Sequence, residues 1–343
     1  MTSPTQSPTA EAARNWVREL KKYRDPNHAR SIFELAVTLI PFAALWALSW
    51  WALSVSWLLT LPIAILNGFF LVRVFAIQHD CGHSAFFRNT KVGDWVGRAL
   101  GVLTLTPYDV WQKVHAVHHS NSGNLDQRDM GEIFTLTTAE YEARSWFGKA
   151  RYRLYRSPFT LFVLGPGYLF FAQNRLPIGL MRAGFKYWLS AMGTNAAIVV
   201  ILGIIFYFGG AAPILLIFVP TTLVAATLGV WLFYVQHQFE ETHWDGKDAW
   251  QVHDAALHGS SHYVMPSVLQ WLTANIGVHH VHHLYSRIPF YRLPEVLRDH
   301  GDLAQAQRLT IWESFATARL HLWDEGERRL LSFRQARQLR SAR

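Results

Sequence analysis

The hydrophobic positions of this chain fall in long uninterrupted runs, without the alternation or heptad spacing of soluble elements. From Ile32 to Ile77 the sequence is almost wholly apolar, more than twice the roughly 20 residues that one bilayer crossing requires. Ser54-Val55-Ser56 is the natural fold point, so the run predicts helices over 32–53 and 56–77. A second run extends from Trp188 to Val235 and is broken at Gly209-Gly210, with Pro213 just behind. It predicts helices over 187–208 and 213–235. The stretches 94–106 and 158–171 are too short to span. Pro158 and Gly165-Pro166-Gly167 interrupt the second of them, so both are expected to be interfacial or re-entrant.

Composition agrees with this pattern. Half of the 343 residues are hydrophobic and only 16% are charged, against about 25% in a soluble protein. The expected class is an all-α integral membrane protein with four transmembrane helices in two hairpins. A formal charge of +8 raises the question of nucleic acid, but no aromatic-basic module accompanies it. Attraction to anionic headgroups accounts better for the basic residues. Apart from Arg73, near the end of the second helix, every Lys and Arg lies outside the four helices. None lies in the short connections 54–55 and 209–212. The positive-inside rule then puts both termini and the long middle loop in the cytoplasm.

Residues 1–31 form the N-terminal segment. Its first ten residues are polar and expected to be disordered. Over 11–24, Trp16, Leu20 and Tyr23 stand among basic residues, as in a helix lying at the headgroups or merely solvated. Residues 301–343 read as a cytoplasmic tail behind a single domain over 32–300. The first 30 residues contain no apolar signal core, and the single cysteine, Cys81, excludes an intrachain disulfide.

The chemistry is concentrated in three histidine boxes: His79-Asp80-Cys81-Gly82-His83, His115-Ala116-Val117-His118-His119 and His279-His280-Val281-His282-His283. Residues three or four apart share a helix face, so His79 and His83 can grip one ion. His118 and His119 diverge by about 100° around a helix, so a box of this kind can serve two ions. The third box repeats the arrangement with His279, His282 and His283. His237, at the end of the fourth helix, is a ninth candidate. Together these residues predict a dimetal centre held by a cytoplasmic helical cap, all on one side of the membrane. Imidazole suits iron, zinc, copper or nickel, so ligand type leaves the metal open. The glutamate of a zinc protease is missing, since Asp80 follows His79.

The other ring nitrogen of a metal-bound histidine is usually held by a carboxylate or carbonyl. Asp80, Asn275 and Asp254 are candidates for that role, with Asp109 and Gln236. Trp111, Trp231, Phe233, Tyr234 and Trp271 are aromatic and close to the boxes, and are candidate walls of a substrate tunnel. Arg287, Arg292 and Arg298 could steer an acidic partner.

The boxes resemble those of the membrane fatty acid desaturases, in order and approximate spacing. The likeness extends through Trp231 to Glu240, Gly259-Ser260-Ser261, Asn275-Ile276-Gly277 and Ser286-Arg287-Ile288-Pro289, and is greatest to the acyl-lipid branch with delta-12 or omega-6 enzymes. It implies two iron ions ligated by His79, His83, His115, His118, His119, His279, His282 and His283, with His237 as a weaker match. It implies dioxygen as co-substrate and removal of two hydrogens from the acyl chain of a membrane lipid. No His-Pro-Gly-Gly motif of a fused cytochrome b5 occurs, so a separate donor is implied, ferredoxin or cytochrome b5. A hydroxylase on the same scaffold uses the same histidines. A membrane metal transporter is the rival of another class, although transporters place ligands near the midplane.

Overall fold

The computed structural model describes residues 15–128 and 130–342. Among these residues four helices are long and apolar enough to cross a membrane: α1 (His28–Leu53), α2 (Trp57–Gly82), and two later ones, Phe185–Gly209 and Ala211–His237. Each expected span is present, and the differences lie at the ends. α1 begins four residues early because the Asn27 side chain accepts a hydrogen bond from the Arg30 amide at 3.1 Å and caps the helix. α2 continues five residues past the apolar run and carries His79 with it. Between them lie α3 (Thr90–Leu103), α4 (Tyr108–Asn121) and α5 (Trp146–Tyr155). The long helices Phe185–Gly209 and Ala211–His237 are α6 and α7. Two short helices follow, α8 (Val252–His258) and α9 (His279–Leu284).

The stretch 158–171, expected to be short of a crossing, is a π-turn at Thr160–Leu164 running into a helix at Gly165–Phe171. It lies along α7, where Phe162 meets Trp231 and Phe171 meets Phe218. Outward-facing Val199, Val200 and Phe206 of α6 are exposed, as suits helices surrounded by acyl chains rather than water. A cavity of about 470 Å³ opens among the four long helices, lined by Phe42, Trp46, Leu71, Leu103, Leu202 and Phe218 among others.

The chain is mostly helical, but it also contains strands, a departure from the all-α expectation. β1 (Leu136–Thr137) pairs in parallel with β4 (Leu322–Asp324), which pairs antiparallel with β5 (Arg329–Leu331). β2 (His262–Val264) pairs in parallel with β3 (Arg308–Thr310). Strands of two or three residues are too short to leave a period-two signature. Through β3, β4 and β5 the segment 301–343 is woven into the fold and is not a free tail. Arg156 reinforces the join: its guanidinium donates to Thr135 Oγ1 at 2.8 Å, Gln238 Oε1 at 2.7 Å and the Leu320 carbonyl at 2.9 Å.

At the other end of the chain, Leu20 and Tyr23 are buried. The Tyr23 hydroxyl donates to Asp299 at 2.7 Å, and Trp16 meets the His300 ring edge-on. Leu20 and Tyr23 thus turn toward the protein, where the sequence leaves open a helix at the headgroups or a solvated one. The expected disorder of the first ten residues falls outside the described part of the chain. One buried cation links the long helices to the segment ahead of the third box. Arg73 on α2 pairs with Glu34 on α1, donates to Thr38 Oγ1 at 3.0 Å and lies 4.2 Å from the Trp271 ring.

Candidate metal centre

Four elements bring nine imidazoles together. α2 presents His79 and, at its C-cap, His83. α4 presents His115, His118 and His119. The last residue of α7 is His237, and α9 carries His279, His282 and His283. The candidate ligand atoms divide into two groups, each with all its atoms within 4.8 Å of one another. One group is His79, His83, His115, His119 and His282; the other is His118, His237, His279 and His283. The division follows helix geometry. The second box gives its i,i+4 pair to the first group and His118 to the second. The third box does the reverse, giving its i,i+4 pair to the second group and His282 to the first.

Within the groups Nε2 faces Nε2. The separations are 2.9 Å for His79–His115, 3.1 Å for His119–His282, 3.1 Å for His118–His237 and 2.9 Å for His237–His279. The groups adjoin, since the His119 and His283 rings stack with centroids 4.1 Å apart. Burial first, and then the neighbouring imidazoles, push His83, His115, His119, His279, His282 and His283 well below the usual histidine range. They are neutral at pH 7, the state in which histidine binds a metal.

Two outer contacts fix ring orientation, and neither was anticipated. Glu132 Oε1 lies 2.9 Å from His118 Nδ1, with both side chains almost fully buried. The Gly259 carbonyl lies 3.2 Å from His237 Nδ1. Glu132 had a faint signal, as a lone carboxylate ahead of the apolar Ile133-Phe134. Gly131 before it has φ +76°, and a Cβ there would meet His118 Cβ and the Val114 carbonyl at 3.0 Å. Its left-handed turn needs glycine.

The expected outer partners are placed elsewhere. Asp80 Oδ1 is 3.6 Å from His79 Nδ1, too far for a hydrogen bond, and Asp80 Oδ2 instead accepts from the Phe290 amide at 2.7 Å. Asn275 donates to the Phe290 carbonyl, and Gln236 to the Ile276 carbonyl. Asp254 faces His243 and His258, and Asp109 pairs with Arg98 and Lys186. In each case the side chain points to a neighbour other than a ligand histidine. His280 turns away from both groups to the Leu303 carbonyl at 2.8 Å, and His262 to the Ala304 carbonyl at 3.0 Å. Cys81 is buried in the core, packed with Phe86 and Tyr108 among its neighbours in that cluster.

Of the aromatic candidates, Trp111 stacks on His115 with centroids 4.7 Å apart, and Phe233 lies 5.0 Å from His118. Trp231 packs on Phe162 and Phe315, and Trp271 on Phe70 and Arg73. The Tyr234 hydroxyl donates to the Thr317 and Leu320 carbonyls, so it braces the C-terminal segment. None of the five lines the large apolar cavity.

The model of the fatty acid desaturase family matches residues 55–315. The chain belongs to the fatty acid desaturase family. It is 40% identical to a fatty acid desaturase of Bacillus subtilis (strain 168), over 96% of this chain and 93% of that protein. It is 28% identical to an sn-1 oleoyl-lipid 12-desaturase of Picosynechococcus sp., over 81% of each chain. An sn-1 acyl-lipid omega-3 desaturase (ferredoxin) of Synechocystis sp. is 29% identical, over 78% of this chain and 74% of its own. The protein is thus a fatty acid desaturase, an oxidoreductase of lipid metabolism, with histidine groups compatible with a metal centre.

Proposed function

We propose that the two histidine groups each hold one iron, and that the desaturase removes two hydrogens from the acyl chain of a membrane lipid. The observation that carries this reading is the pair of imidazole clusters, buried or half-buried, whose Nε2 atoms face one another. A neutral imidazole has one N–H to donate and one nitrogen to accept. His115 Nε2 lies within hydrogen-bond distance of both the His79 and His119 Nε2 atoms, and His83 Nε2 is buried without a partner. Such converging lone pairs fit a cation between them. His118 and His237 reserve Nδ1 for Glu132 and Gly259 and so present Nε2 to it. Irons held there would supply the binding and reduction of dioxygen.

The overall balance is one –CH2–CH2– unit, one dioxygen, two electrons and two protons giving one double bond and two waters. The chain's own residues enclose that chemistry. Trp111 and Phe233 lie against the rings of His115 and His118 and exclude water. The apolar cavity suits the far part of an acyl chain: Leu71 lies eight residues before His79 on α2, about 12 Å along the helix axis. The charge distribution supports two hairpins with both termini, the cap and the centre on the cytoplasmic side. An external one-electron donor, ferredoxin or cytochrome b5, then reaches the irons from the cytosol. Ferredoxin has support from the relative whose name carries it.

Expression in a host without polyunsaturated lipids, with double bonds located by mass spectrometry, tests the reading. New double bonds that vanish in H282A are expected. Addition of one oxygen in place of loss of two hydrogens would make it a hydroxylase. A metal-loaded protein that consumes no oxygen with lipid and reductant present would overturn it.

A further inference from the structure

The sequence directs attention to the arginines behind the third box as a landing site for an acidic partner. In the structure two of the three have acidic neighbours: Arg292 pairs with Glu295 at 2.9 Å and Arg298 lies 3.8 Å from Asp299. A different basic feature stands open. A pocket of about 470 Å³ lies between α5 and Arg128, Glu132 and Phe134, with Arg144, Arg151 and Tyr155 also lining it. Positions 148, 151 and 155 fall on one face of α5, and Arg144, just ahead of its N-cap Ser145, packs against Gly148 on that face. Arg128 is paired with Glu140 at 2.9 Å, whereas Arg144 and Arg151 make no ion pair among the described residues.

The floor of this pocket includes Glu132, only 2% exposed, whose carboxylate holds His118 Nδ1. A single carboxylate therefore separates the pocket from His118, a member of the four-histidine group. Trp146 and Phe147, in the first turn of the helix that carries Arg151, are 82% and 69% exposed.

We propose that this pocket is the docking site of the electron donor, a small acidic one-electron carrier protein. The inference rests on the oxygen-dependent reading above. Charge selects the partner, since unpaired arginines in a concave site attract and orient an acidic surface. Composition agrees, because Arg, Trp and Tyr are the residues that carry protein interfaces. The route favours a redox partner over a lipid phosphate. An acyl lipid's head is separated from an internal –CH2–CH2– by several methylenes and has no need to touch the ligand shell. An electron benefits from the shortest bonded path, here Glu132 to His118. Two carrier molecules, each oxidised by one electron, supply the pair that the balance requires.

The test uses the full-length protein in lipid nanodiscs with iron bound. Turnover is driven either by a reduced plant-type [2Fe–2S] ferredoxin or by dithionite-reduced methyl viologen, which needs no docking. In R144E/R151E the ferredoxin KM is expected to rise about tenfold or more and to lose much of its salt dependence. The ratio of ferredoxin-driven to viologen-driven turnover falls by the same factor, whereas R298E leaves that ratio unchanged. If the charge reversal fails to fold, R144Q/R151Q carries the same comparison with a smaller effect.

An unchanged ratio in the pocket variants overturns the assignment. So does an equal fall with both reductants, which would give the pocket to the lipid headgroup. A wild-type protein that accepts electrons from viologen but from neither ferredoxin nor another acidic carrier also overturns it. Absence of desaturation by the wild type with viologen, iron and lipid would instead bring down the oxygen-dependent reading, and this assignment with it.

Discussion

The two histidine groups are built differently. The five-histidine group takes two i,i+4 pairs from α2 and α4 and needs only His282 from a distant part of the chain. The four-histidine group takes a single i,i+4 pair from α9, and both of its other members come from elsewhere. Those two, His118 and His237, are also the ones whose outer nitrogens are held, by Glu132 and by the Gly259 carbonyl. His79 in the first group has only Asp80 at 3.6 Å, and its Nδ1 is unpartnered among the described residues. Helix spacing supplies four of the five ligands of one group in pairs, whereas outer hydrogen bonds hold two of the four ligands of the other. Damage to those contacts should fall on the four-histidine group and spare its neighbour.

The largest effect is expected from H237A, which leaves the four-histidine group with three rings. Iron per chain should drop from about two to about one, and desaturation by more than ~100-fold, beyond the 10–100-fold typical of losing a ligand's outer partner. Metal analysis with lipid gas chromatography checks both. Two irons retained in H237A would break the comparison. E132Q comes next, with a loss of about 10–100-fold in iron affinity or turnover. Its expected signature is asymmetry, so Mössbauer spectra should show one iron altered and the other kept. D80N serves as the counterpart on the five-histidine side. An asparagine oxygen still accepts from the Phe290 amide, so its effect should be well below that of E132Q.

The cavity offers a test of intermediate size. L202W fills space among the long helices and leaves both groups alone. It should shift the product ratio toward shorter acyl chains by about tenfold, within the range that one methylene commands in an apolar pocket. An unchanged chain-length profile would separate this cavity from the acyl path.

The contrast between the groups also marks what the sequence discloses. Long apolar runs define four crossing helices, because a bilayer demands length and continuity. The spacing of the boxes discloses the i,i+4 pairs and the divergence of His118 from His119, since both are properties of a single helix. Glu132 and Gly259 are different: their roles depend on a turn at Gly131 and on α8 lying beside the end of α7. Neither is a local property, and a backbone carbonyl leaves no residue signature at all. Tyr234 misleads for the same reason. It lies three residues before His237, yet its hydroxyl is bound to the C-terminal segment. Asp254 is likewise a candidate by residue type and is turned to His243.

The smallest effect sharpens the view of the five-histidine group, where packing replaces hydrogen bonds in fixing the rings. Gly82 stands inside the first box, and a Cβ there would lie 2.6 Å from the Trp111 ring. That ring stacks on His115 at an interplanar angle of 18° and lies 5.6 Å from His79. G82A therefore overpacks a site that has no backbone reason to exclude alanine, since Gly82 lies within a helix. A cost of about 1–3 kcal/mol is expected, measured by thermal unfolding of the purified protein. If the clash with Trp111 is the cause, G82A/W111L should recover most of that stability, and the two changes will not add. Turnover should not recover with it, because leucine cannot stack on His115. Additive losses in the double variant would show that the indole does not hold the ring in place.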